Sequence, residues 1–319
     1  MLRLLVSLCV FSTPALFAQG LRQSFMPEND LHLQNSMSDE GSNITQEVFD
    51  SLIDNSQNYF APYVKNLGGT LTIEKLWDNE KVNANAQKYG SGEESIWIVR
   101  MFGGLARRPE VTPDGFQMVI CHEIGHHLAG YSFVIKPFVA NTNMANEGQS
   151  DYFSSQACSR ALWKDQVEAN KKALSDASEN IVTLCNAVWS SNNDRGMCAR
   201  SIAGGKSLSA LLAELGEEST PQVETPSTEK VSTTYNKHPK AQCRLDTYIA
   251  AALCTKTFSL SIIPGLNSSN VAENTAESEM ASNKFVCNSK DKDNSKSVRP
   301  SCWFASLVTE GIDDELVRP

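Results

Sequence analysis

The stretch TPDGFQMVICHEIGHHLAG, residues 112–130, carries the signals that decide the fold and the chemistry of this chain. Its apolar residues recur at helical spacing over residues 116–128. Thr112 or Asp114 is available to cap the N-terminus of that helix, and Gly130 ends it. The stretch therefore predicts one helix.

This helix carries the pattern His-Glu-x-x-His, which is typical of zinc peptidases. His122 and His126 are four residues apart, so they share one helical face and can bind the same ion. Glu123 projects beside that ion, where it can take a proton from a zinc-bound water while the zinc polarises a substrate carbonyl. His127 points off the shared face and is expected to be a supporting or surface histidine. The pattern predicts Zn²⁺ as the cofactor; the alternative is a helix with two surface histidines.

A catalytic zinc needs three protein ligands and an open position for water. Ser132 stands six residues after His126, where the metzincin arrangement has a third histidine, so a carboxylate is expected instead. Glu147 and Asp151 are an i, i+4 pair on one face of a predicted helix. One of them can bind zinc while the other orients a ligand histidine, and their spacing does not decide which.

The motif of residues 122–126, followed by Glu147 and Asp151, resembles the gluzincin pattern H-E-x-x-H then E-x-x-x-D. Thermolysin-like peptidases and the HtpX and CAAX-prenyl-protease family share this pattern. The resemblance implies that Glu147 is the third zinc ligand and that Asp151 supports a ligand from behind. Asp151 as the ligand in place of Glu147 is the alternative.

A second segment, HPKAQCR at residues 238–244, resembles the H-P-x-x-x-x-R segment of the HtpX and CAAX-prenyl-protease family. That resemblance favours this family over the thermolysin-like peptidases. It implies that His238 stabilises the oxyanion and that Arg244 pairs with a carboxylate of the site. A loop histidine and a surface arginine are the alternatives. Members of this family often carry membrane spans, whereas none is expected in this chain.

The whole chain has 319 residues, of which 41% are hydrophobic and 20% charged, as in an ordinary globular protein. Its formal charge is −9 and no cluster of Lys and Arg stands out, so nucleic acid is an improbable partner. No apolar stretch reaches the about 20 residues of a transmembrane helix, so no integral membrane span is expected. The expected partner is a peptide or unfolded protein substrate, and the oligomeric state is left open.

Residues 1–20 have the pattern of a signal peptide, with a positive charge at Arg3, an apolar run over residues 4–10 and a small-residue exit at residues 18–20. Residues 21–45 are rich in Asn, Ser, Asp and Glu and predict a polar N-terminal extension without chemistry. We therefore expect a protein that is secreted or periplasmic.

Nine cysteines are present, and Cys9 lies within the predicted signal peptide. The remaining eight are an even set in a compartment that permits disulfides. At least two bridges are expected, although the sequence does not give their pairing.

The predicted strand over residues 95–101 comes shortly before the zinc helix. The resemblance to gluzincins implies that it is the sheet edge on which an extended substrate lies, and the alternative is an ordinary interior strand. Further helices are expected over residues 46–67, over about 143–163, from residue 161 or later to 189, and over 241–254, with a loop at residues 216–237.

Together these patterns predict an α+β fold over residues 46–319, a single helix-rich, zincin-like metallopeptidase domain with a small β-sheet. The predicted function is a zinc-dependent endopeptidase that hydrolyses peptide bonds through a zinc-bound water activated by Glu123. The alternative is a catalytically inactive zinc-binding scaffold or chaperone-like secreted protein.

Overall fold

The computed structural model describes residues 21–34, 42–90, 95–135, 143–288 and 295–308. Helices and a small four-stranded sheet are combined in these residues, which confirms the mixed α+β class. The predicted signal peptide, residues 1–20, lies outside the described residues. Within the described ranges, every helix is too short or too polar to cross a membrane.

The sheet has the strand order β1-β3-β4-β2. Its strands are β1 (Arg22–Ser24), β2 (Gly69–Leu76), β3 (Ala84–Tyr89) and β4 (Ser95–Phe102). Strand β4 runs parallel to β2 and antiparallel to β3, and β1 pairs antiparallel with β3. Because β4 has a partner on both sides, the interpretation of residues 95–101 as a substrate-binding edge is wrong and the interior alternative holds.

The segment at residues 21–26 differs from the expected polar extension. Within it, Arg22–Ser24 form β1, and the side chains of Leu21, Phe25 and Met26 are buried in the main hydrophobic core. A short run of apolar residues is enough to anchor a strand where the sheet offers unpaired backbone groups. The polar composition of residues 21–45 as a whole concealed these anchors.

Helix α3 (Pro113–Leu128) is the predicted central helix. Thr112 caps it, since its hydroxyl accepts a hydrogen bond from the Gly115 N–H at 3.1 Å, and Pro113 occupies the first turn, where its missing N–H costs nothing. The helix is buried from Gly115 to Leu128 because the sheet and α1 (Gln46–Asn66) pack against one side and later helices against the other. Buried on all sides, it positions side chains rigidly.

After α3 the chain forms a continuous helical segment that consists of α4 (Glu147–Phe153), a π-helical turn (Ser154–Cys158) and α5 (Ser159–Trp163). It begins four residues later than the predicted start at residue 143. Asn146 caps α4 by accepting a hydrogen bond from the Gln149 N–H at 2.9 Å. This cap, one residue before Glu147, fixes Glu147 as the first residue of the helix.

The predicted long helix over residues 161–189 is instead two helices, α6 (Val167–Asp176) and α7 (Glu179–Asn186). Between them Ala177 has extended backbone with φ −70° and ψ 146°. Helix α8 (Asn192–Leu215) then packs on α3 and was not predicted. The predicted loop at residues 216–237 contains no helix or strand in the structure and leads to α9 (Ala241–Ala252). The remaining helices are α2 (Gly103–Ala106), α10 (Ala276–Ser282) and a 3₁₀ turn at Ser295–Ser297.

All eight cysteines outside the predicted signal peptide form disulfides, which confirms the expectation of bridges. Two of the bonds hold the elements around α3 and α9: Cys121–Cys158 joins α3 to the π-helical turn, and Cys243–Cys302 joins α9 to the C-terminal segment. The others are Cys185–Cys198 and Cys254–Cys287. Four bridges are consistent with an extracellular or periplasmic location.

Candidate metal centre

The close approach of α3 to α4 creates the candidate metal centre. Gly125 lies at the crossing point, where a Cβ atom would come within 3.1 Å of the Ser150 backbone and of the Phe153 ring. A side chain at position 125 would therefore force these neighbours to shift by a few tenths of an ångström. The glycine within the His-Glu-x-x-His pattern is thus a packing requirement of this site.

Three side chains from the two helices converge on one point. His122, His126 and Glu147 each offer one ligand atom, and these atoms lie within 4.8 Å of one another. The Glu147 carboxylate oxygens are 3.2 Å from His122 Nε2 and 3.6 Å from His126 Nε2. Two ligands of a tetrahedral zinc with bonds of about 2.0–2.1 Å would be about 3.3 Å apart, so the spacing fits such an ion.

The facing atoms of these three residues have no hydrogen-bond partner, although all three side chains are fully buried. Such atoms are Nε2 of His122, Nε2 of His126 and both carboxylate oxygens of Glu147. Burying polar atoms without partners is costly, and a cation between them would satisfy all of them at once. The residues therefore fit a metal ion.

The opposite nitrogen of each imidazole is held by a hydrogen bond. His122 Nδ1–H donates to Asp151 Oδ1 at 2.8 Å, and His126 Nδ1–H donates to the Ala145 carbonyl at 2.8 Å. The Ser150 hydroxyl is 3.0 Å from the same nitrogen of His126. In the neutral form of each ring with the proton on Nδ1, the lone pair of Nε2 faces the common point, as in metal-ligating histidines.

Asp151 lies behind His122 and belongs to a buried network with α9. Arg244 donates to both of its oxygens, Nε to Oδ2 at 2.7 Å and Nη2 to Oδ1 at 2.6 Å, in the bidentate geometry of strong ion pairs. The Tyr248 hydroxyl also donates to Oδ1 at 2.7 Å. Asp151 thus orients His122, and Glu147 is the carboxylate that meets the facing nitrogens.

Glu123 lies beside the cluster with its carboxylate fully buried and both oxygens without a hydrogen-bond partner. One oxygen is 4.0 Å from His126 Nε2. Burial raises the pKa of Glu123 to about 8. A carboxyl group in such surroundings is a stronger base than one in water.

The charges around the cluster shift the other pKa values in directions that follow from their neighbours. Burial opposes charge on His122, but the Asp151 and Glu147 carboxylates outweigh it and raise its pKa to about 9. Burial lowers the pKa of His126 to about 4. Against burial, Arg244 and His122 hold the pKa of Asp151 well below its usual value. Against the effect of burial, His126 and His122 also lower the pKa of Glu147. The two carboxylates that contact the histidines, Glu147 and Asp151, are therefore ionised at neutral pH.

His238 comes from the segment just before α9, and its imidazole reaches the edge of the cluster. Its Nε2 is 3.7 Å from Glu147 Oε2 and donates a hydrogen bond to the Ser24 carbonyl at 2.8 Å. The structure thus brings all seven predicted residues together, His122, Glu123, His126, Glu147, Asp151, His238 and Arg244. Their roles in binding and catalysis remain predictions.

Sequence reasoning missed two neighbours of the site. Tyr248 follows Arg244 by four residues on α9, so the i, i+4 rule applied to Arg244 could have found it. Phe25 packs the edge of its ring against His122, with the ring centroids 5.3 Å apart, and no sequence signal connects these residues. His127, in contrast, is buried against Trp97 on the sheet side of α3, so its surface alternative is wrong.

Comparison with known proteins adds no relative to this picture: no protein-family model, curated protein or solved structure matches this chain.

Proposed function

We propose that this chain is a zinc-dependent endopeptidase with a zincin-like domain. The observation that carries the proposal is the convergence of two imidazole nitrogens and one carboxylate, all buried and all without partners, next to the buried Glu123. Two histidines and one glutamate are a ligand set of catalytic zinc, which leaves the fourth position open, whereas structural zinc takes four protein ligands. The resemblance of residues 122–126, Glu147 and Asp151 to the gluzincin pattern supports the same reaction class.

Zinc bound here would polarise the scissile carbonyl and lower the pKa of a water molecule at the open position. Glu123 accepts a proton from the attacking water as the water oxygen bonds to the carbonyl carbon. The carbon–nitrogen bond then breaks, and Glu123 delivers the proton to the leaving nitrogen. Delivery of the proton restores the Glu123 carboxylate that acted as the base, and one water has been consumed.

The remaining residues position a metal ligand or stabilise the negative charge that develops on the substrate. Asp151, held by Arg244, orients His122 through Nδ1. His238 carries a donor nitrogen 3.7 Å from Glu147 that binds the Ser24 carbonyl in this structure. Once that carbonyl is displaced, the nitrogen can donate to the negative oxygen that develops on the scissile carbonyl. We therefore assign His238 to oxyanion stabilisation, and Arg244 to the support of a ligand.

The competing function is a zinc-binding scaffold without activity. The complete burial of His122, Glu123, His126 and Glu147 favours it, because a substrate cannot reach a sealed centre. The partnerless carboxylate of Glu123 favours an enzyme, because a metal held only for stability gains nothing from a buried acid that does not touch it. The two functions differ in one measurable consequence of removing that carboxylate.

The test is hydrolysis of an unfolded protein such as casein by the zinc-loaded chain and by its Glu123→Gln variant. We expect the variant to keep one zinc per chain and to lose activity by about 10²–10⁴-fold, as for the loss of a general base. Glu214→Gln is the matched control, since Glu214 is largely exposed and forms its ion pair with Arg108. Equal cleavage by wild type and Glu123→Gln at full zinc content would refute the endopeptidase.

A further inference from the structure

The edge of the sheet next to α3 is covered by a segment of the chain itself. Strand β1 extends the sheet beyond β3, and β3 packs on α3. The Phe25 N–H donates to the Ala84 carbonyl at 3.1 Å, and the Lys88 N–H donates to the Leu21 carbonyl at 3.3 Å. Without this segment the backbone groups of β3 would be a free edge, the usual place for an extended peptide to add as a strand.

The same segment lies directly over the candidate metal centre. The fully buried Phe25 ring meets His122 edge-on at 5.3 Å and the Arg244 guanidinium at 4.4 Å. The segment therefore contributes to the sealing of the site.

Two consecutive carbonyls of the segment are bound by the residues that the proposed reaction assigns to the site. The Ser24 carbonyl accepts from His238 Nε2 at 2.8 Å, and the Phe25 carbonyl accepts from Arg244 Nη1 at 2.6 Å. His238, the donor assigned to the scissile carbonyl, is thus engaged by an internal carbonyl, and Arg244, which supports Asp151, holds the next one. Antiparallel pairing, side-chain packing at the metal ligand and carbonyl capture together are the contacts expected of a bound peptide.

The strand within this segment is short. Only three residues, Arg22–Ser24, are in strand conformation, and the chain that follows, residues 27–34, is exposed or half-buried. Beyond the strand, Met26 is held by the Asn83 side chain, whose carbonyl accepts from the Met26 N–H at 3.1 Å. Opening of this segment alone exposes Leu21, Phe25 and Met26 and leaves the rest of the core packed, so it costs less free energy than global unfolding.

We propose that the segment at residues 21–26 occupies the substrate groove of this protein as a reversible internal inhibitor. The inference depends on the proposed peptidase function for its biological meaning, and it also names the substrate class. The substrate is an extended peptide that adds antiparallel to β3 and places an aromatic or large apolar side chain where Phe25 packs against His122. Displacement of the segment opens the groove and the metal centre together.

The test measures groove binding separately from catalysis. The probe is a fluorescein-labelled peptide GLRQSFMP, residues 20–27 of this chain. Its affinity is compared between the full chain carrying Glu123→Gln, which removes the proposed base, and the same chain with Phe25→Ala added. We expect Phe25→Ala to bind the probe at least tenfold more tightly, and a probe with alanine in place of its phenylalanine to lose that gain.

Casein cleavage by Phe25→Ala without the Glu123 substitution is measured in parallel and is expected to exceed wild type at least tenfold. Leu31→Ala is the matched control, because Leu31 is 40% exposed on the chain that follows the segment. If Phe25→Ala does not fold, Phe25→Leu replaces it, since leucine keeps an apolar side chain and removes the ring that contacts His122 and Arg244.

The outcomes separate the two proposals. Tighter probe binding together with faster cleavage supports both. Tighter binding without cleavage by any variant supports the occupied groove and refutes the peptidase. Unchanged or weaker probe binding by folded Phe25→Ala or Phe25→Leu, at unchanged zinc content, overturns the internal inhibitor, whether or not the chain cleaves casein.

Discussion

Helix α3 carries two adjacent histidines that face different parts of the molecule and contact different kinds of side chain. Both His126 and His127 are buried, and burial lowers both pKa values, to about 4 and about 3. His126 faces α4, where its Nε2 meets the Glu147 carboxylate. His127 faces the sheet, where its ring stacks on Trp97 at 5.3 Å. We call these the metal side and the sheet side of α3.

Burial and residue type are the same on the two sides, so neither distinguishes a site from a core. On the metal side, partnerless atoms of complementary chemistry converge, and a carboxylate supports a histidine from behind. On the sheet side, His127 Nε2 lies 3.4 Å from the Ile98 carbonyl, and Lys88 lies over the other ring of the stack, its amine 4.3 Å from the Trp97 ring. A site is therefore recognised by what its buried polar atoms face.

The largest expected difference between the sides is in metal binding. His126→Ala removes one of three ligands and should weaken zinc binding by at least about 10⁴-fold, since loss of a residue that only orients a ligand already costs about 10–100-fold. His127→Phe keeps an aromatic ring on Trp97 and should leave zinc affinity within about threefold of wild type. Competition titration with a zinc-binding dye measures both. Equal losses in the two variants would erase the distinction between the sides.

Removing a buried cation should have opposite effects on the two sides. On the metal side, Arg244→Met leaves Asp151 as a buried charge without its ion pair, and the free energy of unfolding should fall by about 3–5 kcal/mol. Urea denaturation measures this loss. The double variant Arg244→Met with Asp151→Asn should lose less than the sum of the single variants. Additive losses would mean that the pair contributes no coupling.

On the sheet side, Lys88→Met should stabilise the protein at pH 7 by about 1–2 kcal/mol. Burial lowers the pKa of Lys88 to about 8, and within the described residues no carboxylate contacts its amine to compensate. The shift from an unfolded value of about 10.4 corresponds to about 3 kcal/mol, from which the lost cation–π contact with Trp97 subtracts about 1–2 kcal/mol.

The sign of this effect gives a pH dependence. Between pH 8 and about 10.4 the unfolded chain binds the Lys88 proton more tightly than the folded chain, so wild-type stability gains with rising pH. The advantage of Lys88→Met should therefore be largest at or below pH 8 and should disappear near pH 10.5. Urea denaturation of both proteins at pH 7, 9 and 10.5 checks it, and an advantage that is constant across this range would contradict the assignment.

The metal side was largely predictable from the sequence, because its information is local. The i, i+4 spacing of His122 and His126 fixes one helical face, and the spacing of Glu147 and Asp151 fixes another. The structure brings these two faces together, and Gly125 allows their close contact. The choice between Glu147 and Asp151 needed the fold, since it depends on which imidazole nitrogen each carboxylate reaches.

The sheet was less predictable. Strand β4 has the apolar and β-branched residues of a strand, but whether it is an edge depends on its partners, which lie far away in sequence. Strand β3, with the polar residues Asn85, Gln87 and Lys88, gave no strand signal. The position of Phe25 over His122 involves a separation of almost one hundred residues, which no local pattern encodes.

The most direct test of the distinction between the two sides is anomalous diffraction at the zinc absorption edge from crystals of the zinc-loaded protein. We predict an anomalous peak about 2.0–2.2 Å from His122 Nε2, His126 Nε2 and a carboxylate oxygen of Glu147. A peak at His127, or none at the metal side while the protein in solution contains one zinc per chain, would contradict it.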